Sequence, residues 1–123
     1  SILNIFMKKL ILIISSLVAL NLMSSNIITI LDRTINIDDS MSMTIQIKES
    51  DGPVLIPEHT HPFTGTVYLI KGKVDVEIEG KVESYREGQS WIEPKDKLHS
   101  GQSKGPIKYF VVYHHSAGKP YTN

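Results

Sequence analysis

The sequence predicts an all-β protein, a small antiparallel β-barrel or sandwich, and three observations carry that expectation. Short runs of alternating apolar and polar residues recur from Asn26 onward. Glycine- and proline-containing turns separate them at short intervals. No stretch beyond the first 25 residues holds a helical apolar period.

The runs follow in order. Met41 to Lys48 alternates strictly, with Met41, Met43, Ile45 and Ile47 on one face and Ser42, Thr44, Gln46 and Lys48 on the other. Glu49 to Pro53 is a polar turn, and Val54 to Pro57 leads into a histidine pair. Thr66 to Lys71 is a strand ended by Gly72. Lys73 to Glu79 alternates again, with Val74, Val76 and Ile78 inward. Gly80-Lys81 is expected as the hairpin turn into a strand over Val82 to Arg86. Gly88 opens a connection to the strand Ser90-Trp91-Ile92-Glu93, and Pro94 to Lys97 turns the chain. The last strand, Ile107 to His114, is apolar on both faces near Phe110-Val111-Val112.

A length of 123 residues suits one domain. Thirteen basic residues against thirteen acidic ones give no general attraction to nucleic acid. No cysteine is present, so disulfides, thiolate metal sites and a cysteine nucleophile are excluded, as is lipid attachment at a cysteine. Residues 1–25 differ from the rest. Met7-Lys8-Lys9 precedes the mostly aliphatic run Leu10 to Leu22, the layout of a secretory signal, and that run is short for a membrane span. The expected organisation is a signal peptide over 1–25, with Met7 as natural start and 1–6 upstream of it, then a single domain over 26–123. The protein is then exported, to the periplasm, and free of the membrane after cleavage near Leu22-Met23-Ser24 or Met23-Ser24-Ser25. An uncleaved N-terminal membrane anchor is the alternative.

The stretch Pro57-Glu58-His59-Thr60-His61 places two histidines two apart. On a strand such residues share a face, so both imidazoles can reach one ion at about 2.1 Å. Alone, such a pair is weak evidence. The run Gly88-Gln-Ser-Trp-Ile-Glu-Pro94-Lys-Asp96-Lys-Leu-His99 adds a third histidine at a distinctive spacing. Together the two stretches resemble the cupin family. Its first motif has H-x-H, then a carboxylate, then a glycine after the next strand. Its second has glycine, five residues, P-x-G/D, two residues and histidine. His59, His61 and Gly72 match the first motif, and Gly88, Pro94, Asp96 and His99 the second. The resemblance spans roughly residues 41 to 115. It implies a double-stranded β-helix (jelly-roll) barrel, one divalent metal on His59, His61 and His99, a small-molecule ligand or substrate, and a homodimer. Iron, zinc, copper, nickel and manganese all accept imidazole, so the metal is not distinguished.

Two departures stand out. The family's usual glutamate position falls on Gly65, and Ser103 stands where a late asparagine is usual. The stretches "GQSWIEP" and "AGKPYTN" resemble a subgroup of small exported single-domain cupins in which the glutamate position is often not acidic. Three neutral imidazoles leave a divalent ion its full charge, which favours an anionic, oxygen-bearing ligand. The family includes oxygenases with a three-histidine iron site, so the resemblance implies metal-dependent, dioxygenase-like chemistry. A non-catalytic binding or sensing module is the alternative.

Glu93 is a candidate to orient a histidine or take a proton, although the usual exposure of glutamate favours a solvated carboxylate. Trp91 shares its parity and is expected in the core more than on a cavity wall. Tyr68 is expected to pack inside the barrel. His114 and His115 face opposite sides of a strand, so they cannot chelate together and are expected at the surface.

Overall fold

The computed structural model describes residues 25–118. The expected segment over 1–25, apart from Ser25, and the tail from residue 119 lie outside the described residues. Nine strands form among the described residues: β1 (Ile28–Asn36), β2 (Met41–Ser50), β3 (Val54–His59), β4 (Thr64–Lys71), β5 (Lys73–Ile78), β6 (Lys81–Arg86), β7 (Ser90–Glu93), β8 (His99–Ser103) and β9 (Ile107–Ser116). They make a five-stranded sheet ordered β1-β2-β9-β4-β7 and a four-stranded sheet ordered β3-β8-β5-β6. Every pairing is antiparallel. The all-β expectation holds, and the two sheets are those of a jelly-roll barrel.

Alternation explains where the core lies. Gly65, Val67 and Leu69 of β4 point inward, as do Val74 and Val76 of β5 and Ile107, Val111 and Tyr113 of β9. Two buried clusters result. Val54, Leu69, Val74, Val76 and Ile107 form one, and Phe63, Val67, Val111 and Tyr113 the other. Trp91 and Tyr109 pack against both.

Three expectations change. Gly80-Lys81 is not the turn, because Ile78 pairs with Lys81, which leaves Glu79-Gly80 as a two-residue loop. Both loop residues have positive φ, 51° and 80°, the backbone that matches the twist of a tight hairpin. Tyr68 lies on the outer face of β4 and is 47% exposed, because its parity opposes that of Val67 and Leu69. In β2 the two faces separate as expected, yet the polar one is buried. Ser42, Thr44 and Gln46 are 1%, 0% and 4% exposed. They bond across the strands: Ser42 Oγ donates to Asn36 at 2.7 Å, Thr44 bonds Thr34 and His115, and the Gln46 amide nitrogen donates to Asp32 at 3.2 Å, while Gln46 Oε1 has no partner.

The apolar face of β2 therefore looks outward. Register builds two rows across that outer face of the large sheet. Leu31, Ile47, Phe110 and Tyr68 are successive neighbours, and so are Arg33, Ile45, Val112, Thr66 and Ile92.

Candidate metal centre

Each histidine is placed by a different local device. β3 is an edge strand, which tolerates Pro57, and its pairing with β8 slips between Ile56 and His59. The slip brings His59 directly opposite His99. His61 lies just past the end of β3, yet it turns inward like His59 while Thr60 is exposed. Its carbonyl accepts from the Asp96 amide at 2.8 Å, which ties the first histidine segment to the turn before His99. Asp96 has a φ of 60°, a left-handed conformation that glycine, asparagine and aspartate adopt most readily. His99 opens β8 between β3 and β5, and is 3% exposed.

The three rings converge. Ring centroids are 4.7 Å apart for His59 and His61, 4.2 Å for His59 and His99, and 4.9 Å for His61 and His99. One nitrogen from each ring lies within 4.8 Å of the others. Hydrogen bonds fix the tautomers. A carbonyl only accepts, so His59 Nδ1–H donates to the Pro57 carbonyl at 2.8 Å and His99 Nδ1–H to the Lys97 carbonyl at 3.0 Å. That leaves the Nε2 lone pairs of both rings facing the cluster. His59 Nε2 is 3.2 Å from His61 Nε2, and the buried Nε2 of His99 has no hydrogen-bond partner. Inward lone pairs with the outer nitrogens anchored on backbone carbonyls are the donor set of a cation site, so these residues fit a divalent metal.

Glu93 is not a solvated carboxylate. Its side chain is only 14% exposed, and Oε2 stands 3.4 Å from His99 Nε2. Burial pushes its carboxyl up to about 7, with His59, the Trp91 indole and Lys48 drawing it part of the way back. Gly65 has no side chain to offer as a ligand, and a side chain there requires the Tyr113 ring to shift. A Cβ at that position would meet the Tyr113 ring at 2.7 and 2.9 Å, with Glu93 Oε1 at 3.5 Å.

The cluster opens into a cavity of about 420 Å3 between the sheets. Trp91 lines it while also stacking on Tyr85 at 4.6 Å, so it serves both core and cavity. Lys48, Tyr109 and Tyr113 line it too, and sequence reasoning missed all three. Parity put Lys48 on the polar face of β2, but that this face looks inward is visible only once β9 is paired beside it. Of the adjacent pair, His114 is exposed, while His115 turns in to bond Thr44 Oγ1 at 2.7 Å. Neither joins the three-histidine cluster.

A family description for the cupin domain matches residues 42–113. Among curated proteins no match to the sequence is found. Solved structures do match. A conserved Streptococcus pyogenes protein of unknown function has TM-score 0.57 at 20% identity, over 79% of this chain and 77% of its own. The EutQ protein of Clostridium difficile has TM-score 0.57 at 17% identity, over 78% and 72%. An RmlC-like cupin from Shewanella frigidimarina has TM-score 0.53 at 12% identity, over 71% and 86%. At these identities the likeness is one of fold.

Proposed function

Because the chain belongs to the cupin family, we propose that it binds one divalent metal on His59, His61 and His99 and takes a small anionic organic molecule into the adjoining cavity, with dioxygenase-like chemistry the first activity to test. The observation that carries this reading is the set of three converging imidazoles, two of them anchored on backbone carbonyls, at the wall of a ligand-sized space. A divalent ion there supplies positive charge to a carboxylate or enolate and, as iron(II), a centre for oxygen activation. The chain's own groups serve the same ligand. Lys48 lines the cavity and adds a second positive charge. Trp91, Leu69, Val74 and Val76 supply its apolar wall.

Metal analysis of tag-free protein tests the centre, and oxygen uptake with diketones, thiols and phenols tests the chemistry. Uptake with one class supports the enzyme. Ligand binding to the metal-loaded protein without uptake supports the binding or sensing module. Metal at trace level even after reconstitution sinks both. The basic Met7-Lys8-Lys9 and the aliphatic run after it support export to the periplasm. An intact Met7 start found by mass spectrometry in the cytoplasm would refute it.

The outer rows of the large sheet support a homodimer. Leu31, Ile47, Phe110 and Tyr68 form one uncharged apolar line crossing four strands. A two-fold axis lets one copy cover the same line on another.

A further inference from the structure

We propose that Glu93 supplies a fourth, carboxylate ligand to the ion held by His59, His61 and His99, from the strand beside the one where the family carries its acidic residue. The inference rests on the three-histidine reading and adds to it a ligand from outside the first motif.

Register is the first argument. Glu93 of β7 pairs directly with Gly65 of β4. Directly opposed residues in an antiparallel pair project to the same face. Glu93 therefore enters the barrel interior beside the place where a side chain at 65 would have entered. The space confirms the direction. The Tyr113 ring leaves room for a Cβ at position 65 only if it moves aside, and Glu93 Oε1 already lies 3.5 Å from that point. The carboxylate of the first motif is thus crowded on β4, and one is delivered from the neighbouring strand.

Distance is the second argument. Ligand atoms about 2.1 Å from one ion stand about 3.0 Å apart at octahedral angles and about 3.4 Å at tetrahedral ones. His59 Nε2 and His61 Nε2 are 3.2 Å apart, and His99 Nε2 and Glu93 Oε2 are 3.4 Å apart. His99 Nε2 makes no hydrogen bond, so that carboxylate oxygen is its neighbour without being its hydrogen-bond acceptor. A shared cation satisfies both atoms. It also gives a carboxylate with 14% side-chain exposure the countercharge that burial demands. With Glu93 ligating, the ion keeps one net positive charge, still attractive to an anionic ligand.

Cobalt(II) is the probe, since its visible absorption reports the ligand set. The full chain and Glu93→Leu, close in volume and without a donor atom, are titrated with cobalt(II) and competed with a chelator. One equivalent is expected in both, with altered ligand-field bands in the variant and affinity lower by about tenfold or more. Glu93→Asp keeps the charge but withdraws the oxygens, so its bands are expected to change too, and it carries the comparison if Glu93→Leu does not fold. Identical bands in wild type and folded variants overturn the proposal alone, even if affinity falls. A carboxylate acting only through His99 changes affinity and not the ligand set. A wild-type chain that takes up no cobalt overturns the three-histidine reading, and this proposal with it.

Discussion

His99 meets three constraints at once: it pairs with His59 on one side, pairs with Ile78 on the other, and donates Nδ1–H to the Lys97 carbonyl. Its replacement by alanine removes one of the three clustered imidazoles from the centre of the small sheet. Metal content of His99→Ala is expected to fall from one equivalent to trace, read by elemental analysis. Glu93 gives a pH signature in the metal-free protein. Folded, it holds its proton up to about 7, whereas the unfolded chain releases it near 4.5. The folded state then binds more protons between those values, so Glu93's contribution to stability is full below about 4.5 and is lost as pH rises through about 7. Against Glu93→Gln, metal-free wild type is expected to lose thermal stability steadily across that window, by a few kcal/mol in all. A constant difference in melting temperature from pH 4.5 to 8 would contradict it. The histidines were legible because a two-residue spacing and a glycine-proline-histidine spacing are local. The burial of Glu93 was not, since it depends on β4 lying beside β7 and on Tyr113 reaching over from β9.

At the scale of elements, strand parity could be read from sequence, but which parity faces the core could not. β2 shows why. Its apolar residues look outward, and its serine, threonine and glutamine are buried because asparagine, threonine and aspartate of β1 meet them rung by rung. β1 itself, "ITILDRTIN", is exposed throughout and carries a register slip near Thr29. Its adjacent Asp32 and Arg33 hide the alternation. Turns are clearer, and two glycines separate strain from crowding. Gly80 and Gly72 have φ of 80° and 92°. A Cβ at Gly80 meets nothing within 4 Å, whereas one at Gly72 runs into the Pro106 carbonyl oxygen and Ile107. Gly80→Ala is expected to cost about 1–2 kcal/mol, the left-handed penalty alone. Gly72→Ala is expected to cost clearly more, as read by urea denaturation of both.

At the scale of the described residues, the two sheets enclose the histidine-lined cavity, and the larger sheet is apolar on part of both sides. A jelly roll with one inner face needs no such outer rows. If a second copy covers them, a charge in the middle of a row blocks association and leaves the interior alone. Ile47→Glu, whose neighbours are Leu31 and Phe110, is expected to elute as a monomer in light-scattering chromatography while the wild type elutes as a dimer. Metal content of that variant is expected to match wild type. A wild-type monomer at micromolar concentration would remove the dimer from consideration. The barrel was legible from many short strands with punctuated turns. The double-sided sheet was not, because it depends on the order β1-β2-β9-β4-β7, which no local pattern encodes.

The ring of Tyr113 over Gly65 also has a consequence for the routes by which such a chain can change. An acidic side chain at 65 and an aromatic ring at 113 compete for one volume. Gly65→Glu alone forces the Tyr113 ring out of its place, and so does any single change that puts a carboxylate at this position. Shrinking position 113 first avoids that, yet the step opens a hole between Phe63 and His61, both of which pack on the tyrosine at 4.9 and 5.4 Å. The two arrangements are thus separated by a less stable intermediate sequence. A chain with glycine at 65 and tyrosine at 113 is held to that pair by packing.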